Sequence, residues 1–254
     1  MSVLYSKQVA DVEYQVRTAG NSVRLYSNGV LHSQYNPKHP ISGAIWDLLL
    51  LPAFLLSTPP SNILLLGLGG GTLVHLIRLF FPKANITCVD IDKEHIKVAR
   101  RFFKIPKKNV TVIEGDAYSV LRASKQRYDW IIDDVFQHVS GEPERDGKAY
   151  QLLKTYQDNL AKNGLLSLNI IGKRQQENIH PLMEGFDRVI QFIHPLYENR
   201  IIAMLNNADA YYFSKAITKK DFNSKIMKYK VLDQSRKTCR LNFNLRVLKS
   251  NTSA

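Results

Sequence analysis

The apolar positions of this chain change their period once, near residue 60. Before that point they lie in short alternating or β-branched runs, VEYQVRTA, SVRLYS and GVLHSQY, separated by Ala-Gly-Asn and Ser-Asn-Gly. Alternation turns one face of each run toward a core and the other toward water, as in an antiparallel sheet. Asn28-Gly29 sits between two of the runs, and both residues tolerate positive φ, so the pair predicts a tight hairpin. After the loop YNPKHPISG, Ser42 is placed to cap a helix over roughly 43–56, which Pro52 would kink. STPPSN at 57–62 breaks the chain.

From residue 63 strand-like and helix-like runs alternate. ILLLG, ANITCVDID, NVTVIEGDA, YDWIIDDV and GLLSLNII read as strands. TLVHLIRLFF, KEHIKVARRFF, AYSVLRAS and AYQLLKTYQDNLA read as the helices between them. Five strands joined in this way predict a parallel, doubly wound sheet with right-handed crossovers. Beyond Gly172, HPLMEGFDRVIQFI predicts a helix, and NRIIAMLN with AYYFSKA predicts a closing antiparallel pair. The expected organisation is a small β-hairpin region with a connecting helix over 1–57, an α/β ligand-binding domain over 58–216, and a C-terminal extension over 217–254.

Composition changes this picture in two places. The net charge of +13 is concentrated at the end of the chain, where residues 214–254 hold eleven Lys or Arg against Asp221 and Asp233. Such a patch suits nucleic acid, an acidic protein or an anionic surface, but its cations are not interleaved with stacking aromatics, which favours a solvated basic face with no dedicated partner. The longest apolar stretch, IWDLLLLPAFLL, is too short to span a bilayer and carries Asp47 and Pro52. MSVLYSKQVADVEYQ has no apolar signal region, and two distant cysteines, Cys88 and Cys239, make no disulfide framework. A cytoplasmic setting is therefore expected. No His/Cys cluster has metal-ligand spacing, so no metal is expected.

In a doubly wound sheet, ligands bind beyond the carboxyl ends of the strands. Those ends carry Gly67, Gly69, Gly70 and Gly71, then Asp90 and Asp92, then Asp116 and Ala117, then Asp133 and Asp134. Glycines admit a ligand to the backbone, a carboxylate at the second end suits ribose hydroxyls, and one at the third suits an adenine amine. Together they point to an adenosine-containing ligand. The dinucleotide fingerprint G-x-G-x-x-G fails at its third glycine, where Thr72 stands, and no Walker-type lysine follows the loop. His75 is expected to be structural, the loop GEPERDG at 141–147 is placed to cover the site, and His138, beside it, is expected to be an exposed histidine.

The spacing G-x-G-x-G at Gly67, Gly69 and Gly71 resembles the first motif of S-adenosylmethionine-dependent methyltransferases, a Rossmann-like fold. VEYQ, VRLYSNGVLHSQYN, ILLLGLGGG, CVDID, VIEGDA and YDWIIDD resemble, in order, the motifs of the spermidine synthase-like aminopropyltransferases over residues 11–172. The resemblance implies that Asp90 holds the ribose, Asp116 the adenine, Asp134 the catalytic position and Gln15 a donor-side position. It also implies dimerisation through the N-terminal sheet. Three departures accompany it. Gly70 stands where the family places an aspartate that meets the donor ammonium, Gln137 replaces a second acceptor-side acid, and SGAIWDLLL lacks the family's His-Glu pair. A carboxylate at 70 would repel the carboxylate of intact S-adenosylmethionine, and glycine does not. The leading expectation is therefore methyl transfer from S-adenosylmethionine to an unidentified acceptor, a small amine or an acidic macromolecule. Asp134 is its base, with Asp133 second. Aminopropyl transfer from decarboxylated S-adenosylmethionine to a polyamine, and a non-catalytic adenosine-ligand-binding module, are the alternatives.

Overall fold

The computed structural model describes residues 2–139, 142–144, 151–206, 218–238 and 240–250. Strands β1 Ser2–Val9, β2 Val12–Ala19, β3 Ser22–Ser27 and β4 Val30–Tyr35 form an antiparallel sheet in that order. Asn28 and Gly29 have φ of +47° and +77°, positive at both centres as a type I′ hairpin requires. The edge strand β1 extends the three-run sheet expected from the sequence. The helix expected over 43–56 is divided into α1 Ile45–Leu50 and a 3₁₀ turn Leu51–Leu55 with Pro52 in its first turn. Proline lacks the N–H that would continue the α pattern. Ala44 rather than Ser42 is the N-cap. Asp47 instead reaches back to accept from Ser42 N–H at 2.9 Å and Gly43 N–H at 2.6 Å. Its carboxyl is 2% exposed, and burial raises its pKa to about 7 against the pull of those donors.

The central sheet has eight strands. Five are parallel, namely β5 Asn62–Leu66, β6 Asn85–Asp90, β7 Val110–Glu114, β8 Tyr128–Asp133 and β11 Leu160–Ile171. Between β8 and β11, β9 Gln137–Val139 and β10 Glu142–Glu144 make a separate antiparallel ribbon. Strands β12 Arg188–Ile193, β13 Asn199–Leu205 and β14 Asn244–Ser250 complete the order β14-β12-β13-β11-β8-β5-β6-β7. Both faces of β5 are buried, because successive side chains point to opposite sides. Ile63 and Leu65 enter one core with Trp130, Ile132 and Leu165, while Leu64 and Leu66 enter the other with Ile131 and Leu168.

Helices α2 Thr72–Phe80, α3 Lys93–Arg101, α4 Ala117–Ala123 and α5 Leu153–Asn159 connect the parallel strands. After α6 Gly172–Asn178 and α7 His180–Glu184 the chain departs from expectation. The helix predicted through residue 193 stops at Gly185, and the β-branched run Arg188–Ile193 becomes β12, held between β13 and β14. The partner strand predicted at 210–216 lies outside the described residues. Helices α8 Lys219–Ile226 and α9 Lys230–Lys237 lead into β14, so the basic C-terminal segment supplies an edge of the main sheet. Phe222, Ile226 and Leu232 bury its inner face in the core shared with β5. Among the described residues, no helix is long and apolar enough to cross a membrane.

The N-terminal sheet is docked on α2 and α3. Tyr35 stacks on His75 with ring centroids 4.1 Å apart, and His75 Nε2 is 2.8 Å from the Phe103 carbonyl oxygen. Glu94 accepts from Tyr5 at 2.5 Å and from Lys7 at 2.7 Å, with Lys97 3.3 Å away. Burial alone would raise the Glu94 pKa, but hydrogen bonds from Lys7, Tyr5 and Lys97 outweigh it and hold it at about 2, against an ordinary 4.5. An acid whose folded pKa lies below its unfolded one stabilises the fold above the unfolded value and loses that contribution as pH falls through the folded one. Denaturant midpoints of the wild type and Glu94→Gln should therefore differ fully above pH 5 and converge toward pH 2. A gap independent of pH would show that the Glu94 charge does not hold β1 to α3.

Candidate active site

The site begins with the turn between β5 and α2. Gly67 and Gly71 have φ of +88° and +85°, a region that disfavours residues with a Cβ. A Cβ on Gly67 would lie 2.6 Å from the Asp134 carbonyl oxygen, and one on Gly71 would lie 2.4 Å from Ile105 Cγ2. Gly67 N–H donates to Val89 O and Gly71 N–H to Leu68 O, each at 2.9 Å. Leu68 and Gly69 N–H both donate to Asp90 Oδ2 at 2.9 Å, and Gly70 N–H to Ser33 Oγ at 2.7 Å. Every backbone N–H from 67 to 71 thus has an acceptor inside the protein. A phosphate cradle needs such groups free, so the turn suits a nucleoside ligand without phosphates.

Gly70 acquires a different meaning from the one its charge suggests. A Cβ there would approach Phe103 and Ser33 Cβ to 2.7 Å. β4 and Phe103 close over Gly70, so packing alone disfavours a side chain there. Thr72, which breaks the dinucleotide fingerprint, is 3% exposed and exchanges two 3.1 Å hydrogen bonds with the backbone of Gln34. The N-terminal sheet is in this way bonded to the glycine turn itself.

Asp90 ends β6 and is 8% exposed. Besides the two loop donors on Oδ2 it accepts Asp92 N–H on Oδ1 at 2.9 Å. A carboxylate offers about four acceptor positions, so Asp90 retains one rather than a free pair for a ribose diol. Asp92 is the N-cap of α3, accepting from Glu94 and His95 N–H on Oδ1 and from Tyr14 O–H on Oδ2 at 2.7 Å. Between them Ile91 is 73% exposed, an apolar surface at the strand end. Asp116 is exposed and caps α4 by accepting Ser119 N–H at 2.8 Å. Hydrogen bonds from Ser119 hold its pKa low, and Ala117 is buried in the first turn of that helix.

Gln15 faces away from this corner, donating to Glu13 and accepting from Arg17 on the outer side of β2. Its neighbour Tyr14 takes the inward position and reaches Asp92. Asp133 and Asp134 also part company. Asp133 is fully buried, with Val135 N–H at 3.1 Å, Tyr118 O–H at 3.3 Å and the Tyr156 hydroxyl as donors. Asp134, half-buried at the strand end, accepts Asn169 Nδ2–H at 2.7 Å, and Asn169 in turn accepts from Asn199 at 3.0 Å. Its N–H donates to Leu66 O, and its carbonyl lies over Gly67. The structure therefore gathers Gly67–Gly71, Asp90, Asp92 and Asp134 at the switch between β5 and β8. It sets Asp133 and Gln15 elsewhere, and it adds Tyr14, Ser33, Asn169 and Asn199. The side chains of Gln137 and His138 and the segment 145–147 lie outside the described residues.

A family described as Methyltransferase domain matches residues 63–164. A probable polyamine aminopropyl transferase of Bifidobacterium longum is 34% identical over 90 residues, 35% of this chain and 20% of the relative. A polyamine aminopropyltransferase of Neisseria meningitidis is 27% identical over 188 residues, 70% of each chain. This chain thus spans a fifth of the length of the first relative. A probable spermidine synthase structure from Corynebacterium glutamicum superposes with a TM-score of 0.74 at 16% identity, covering 100% of this chain and 98% of the other. The chain therefore has the fold of the spermidine synthases of known structure, and its sequence matches a methyltransferase-domain family over the glycine turn and the parallel strands. In this spermidine synthase-like fold the N-terminal sheet and the glycine turn form one unit. Gly70→Ala should accordingly lower the unfolding free energy by about 1–3 kcal/mol through overpacking against Phe103 and Ser33. Urea denaturation measures this, and an unchanged midpoint would show that the contact yields freely.

Proposed function

We propose that this chain is a transferase acting on an adenosyl sulfonium donor, of the polyamine aminopropyltransferase type. The observation that carries the reading is the contact between the donor turn and the acid. Asp134 is seated on Gly67 at the switch point, with its carboxylate oriented by Asn169 and Asn199. The named relatives supply the group transferred, an aminopropyl unit, and a polyamine as its acceptor. The acidic corner of Asp90, Asp92 and Asp116 and the occupied loop N–H groups suit a cationic, phosphate-free nucleoside.

In the reaction the acceptor nitrogen attacks the carbon bonded to the sulfonium. The new C–N bond forms as the C–S bond breaks, and the electron pair stays on sulfur as a neutral thioether. The nitrogen must arrive with its lone pair free, so its proton passes to a base, a role this reading assigns to Asp134. Such a base contributes about 10²–10⁴-fold. Methyl transfer from intact S-adenosylmethionine is the second reading. What favours it is that residues 67–71 carry no acid to meet the ammonium of a decarboxylated donor.

Incubation with each donor and a panel of polyamines, followed by mass spectrometry, separates the readings. An aminopropylated amine with release of 5′-methylthioadenosine is the expected product. Release of S-adenosylhomocysteine alone would move the assignment to methyl transfer. Asp134→Asn should lower turnover by about 10²–10⁴-fold while donor affinity by calorimetry stays within about threefold. Full turnover in that variant would remove Asp134 from the chemistry.

A further inference from the structure

We propose that His95 is a positioning residue for the ribose end of the donor, coupling the N-terminal sheet to Asp90 and Asp92. The inference rests on the donor reading above but not on which group is transferred. His95 lies in the first turn of α3 with its side chain 11% exposed, and the transfer chemistry makes no use of it. Its Nε2 shares a 3.0 Å hydrogen bond with Ser27 Oγ at the end of β3. The same nitrogen is 3.7 Å from Asp92 Oδ2, and Nδ1 is 4.0 Å from Asp90 Oδ2. The Tyr14 ring from β2 meets the imidazole edge-on at 5.7 Å, and the His32 ring from β4 lies at 5.1 Å. Three strands of the N-terminal sheet therefore converge on one ring, and that ring stands between them and both aspartates.

The neighbouring acid shows why this matters. Glu94 has Lys7 and Lys97 to compensate it. Among the described residues, the only basic side chain within 4.0 Å of Asp90 or Asp92 is His95. Most acceptor positions of the two carboxylates are already used on the glycine turn, the α3 cap and Tyr14. The imidazole fills the sheet side of both, which keeps each carboxylate in one orientation and leaves its remaining acceptor position to the ligand. A wedge of this kind acts through the ribose hydroxyls, and its effect should vanish for a ligand without them.

The test is calorimetry with 5′-methylthioadenosine, whose adenosine portion is common to both donors, and with its 2′,3′-dideoxy analogue. His95→Leu should weaken 5′-methylthioadenosine binding about tenfold, the scale of one hydrogen-bonded contact to a charged group. The same substitution should change binding of the dideoxy analogue by less than about threefold. His95→Gln, whose amide can reach Ser27, should restore affinity to within about threefold of wild type. Lys7→Ala, which loosens β1 without touching His95, should leave affinity unchanged. His95→Asn, too short to reach Ser27, takes the place of His95→Leu should that variant not fold. Equal losses for both ligands, an equal loss in Lys7→Ala, or unchanged affinity in His95→Leu would each overturn the proposal. Failure of the wild-type chain to bind 5′-methylthioadenosine would instead overturn the donor reading itself.

Discussion

Asp90 carries its charge to a place that is 8% exposed, where three backbone N–H groups meet it, those of Leu68, Gly69 and Asp92. A buried carboxylate without such donors is costly, and buried N–H groups without acceptors are costly too. At the end of β6 the two needs cancel. The consequence reaches beyond β6, because a chain that must point two successive N–H groups at one oxygen has to turn sharply after β5. The turn is made by glycines at positive φ, and it sets where α2 begins. It also leaves no backbone donors for a phosphate.

The N-terminal sheet depends on that turn in the same way. Ser33 receives Gly70 N–H, Thr72 bonds both ways to Gln34, and Tyr35 stacks on His75. These contacts occupy consecutive residues of β4, so the sheet cannot shift along the loop without breaking all of them. Gly70 is the point of closest approach. A residue chosen for a donor's charge would need open space beside it, and here that space holds Ser33 and Phe103. The glycine at 70 therefore reports on packing.

Much of the sheet was legible because its strands are buried on both faces and read as apolar runs bounded by turns. Asn28-Gly29 and the strand-end residues were legible for equally local reasons. Where the reading failed, the deciding contacts were distant in sequence. RVIQFI has the length and composition of either element, and only the flanking β13 and β14 make it a strand. Gln15 and Tyr14 are adjacent, so the alternation that shows one inward and one outward does not say which, and the docking of β2 on α3 selected Tyr14. Asn169 and Asn199 carry no motif, and their role arises from the pairing of β11 with β13.

Asp133 and Asp134 show how the same alternation sends two neighbouring acids to different places at the end of β8. Successive residues of β8 face opposite sides of the sheet. Asp133 therefore enters the core beneath α4 and α5, where Tyr118 and Tyr156 supply hydroxyl donors. Asp134 emerges at the carboxyl edge, where Asn169 holds it. Because the carbonyl of Asp134 lies against the position a Cβ would take on Gly67, the acid and the donor turn fix each other's place. A larger residue at 67 would push on the backbone that carries Asp134, and a shift in β8 would open the glycine turn. The relative position of the β5 turn and the β8 end is thus set by one backbone contact, and Gly67 is the residue that permits it.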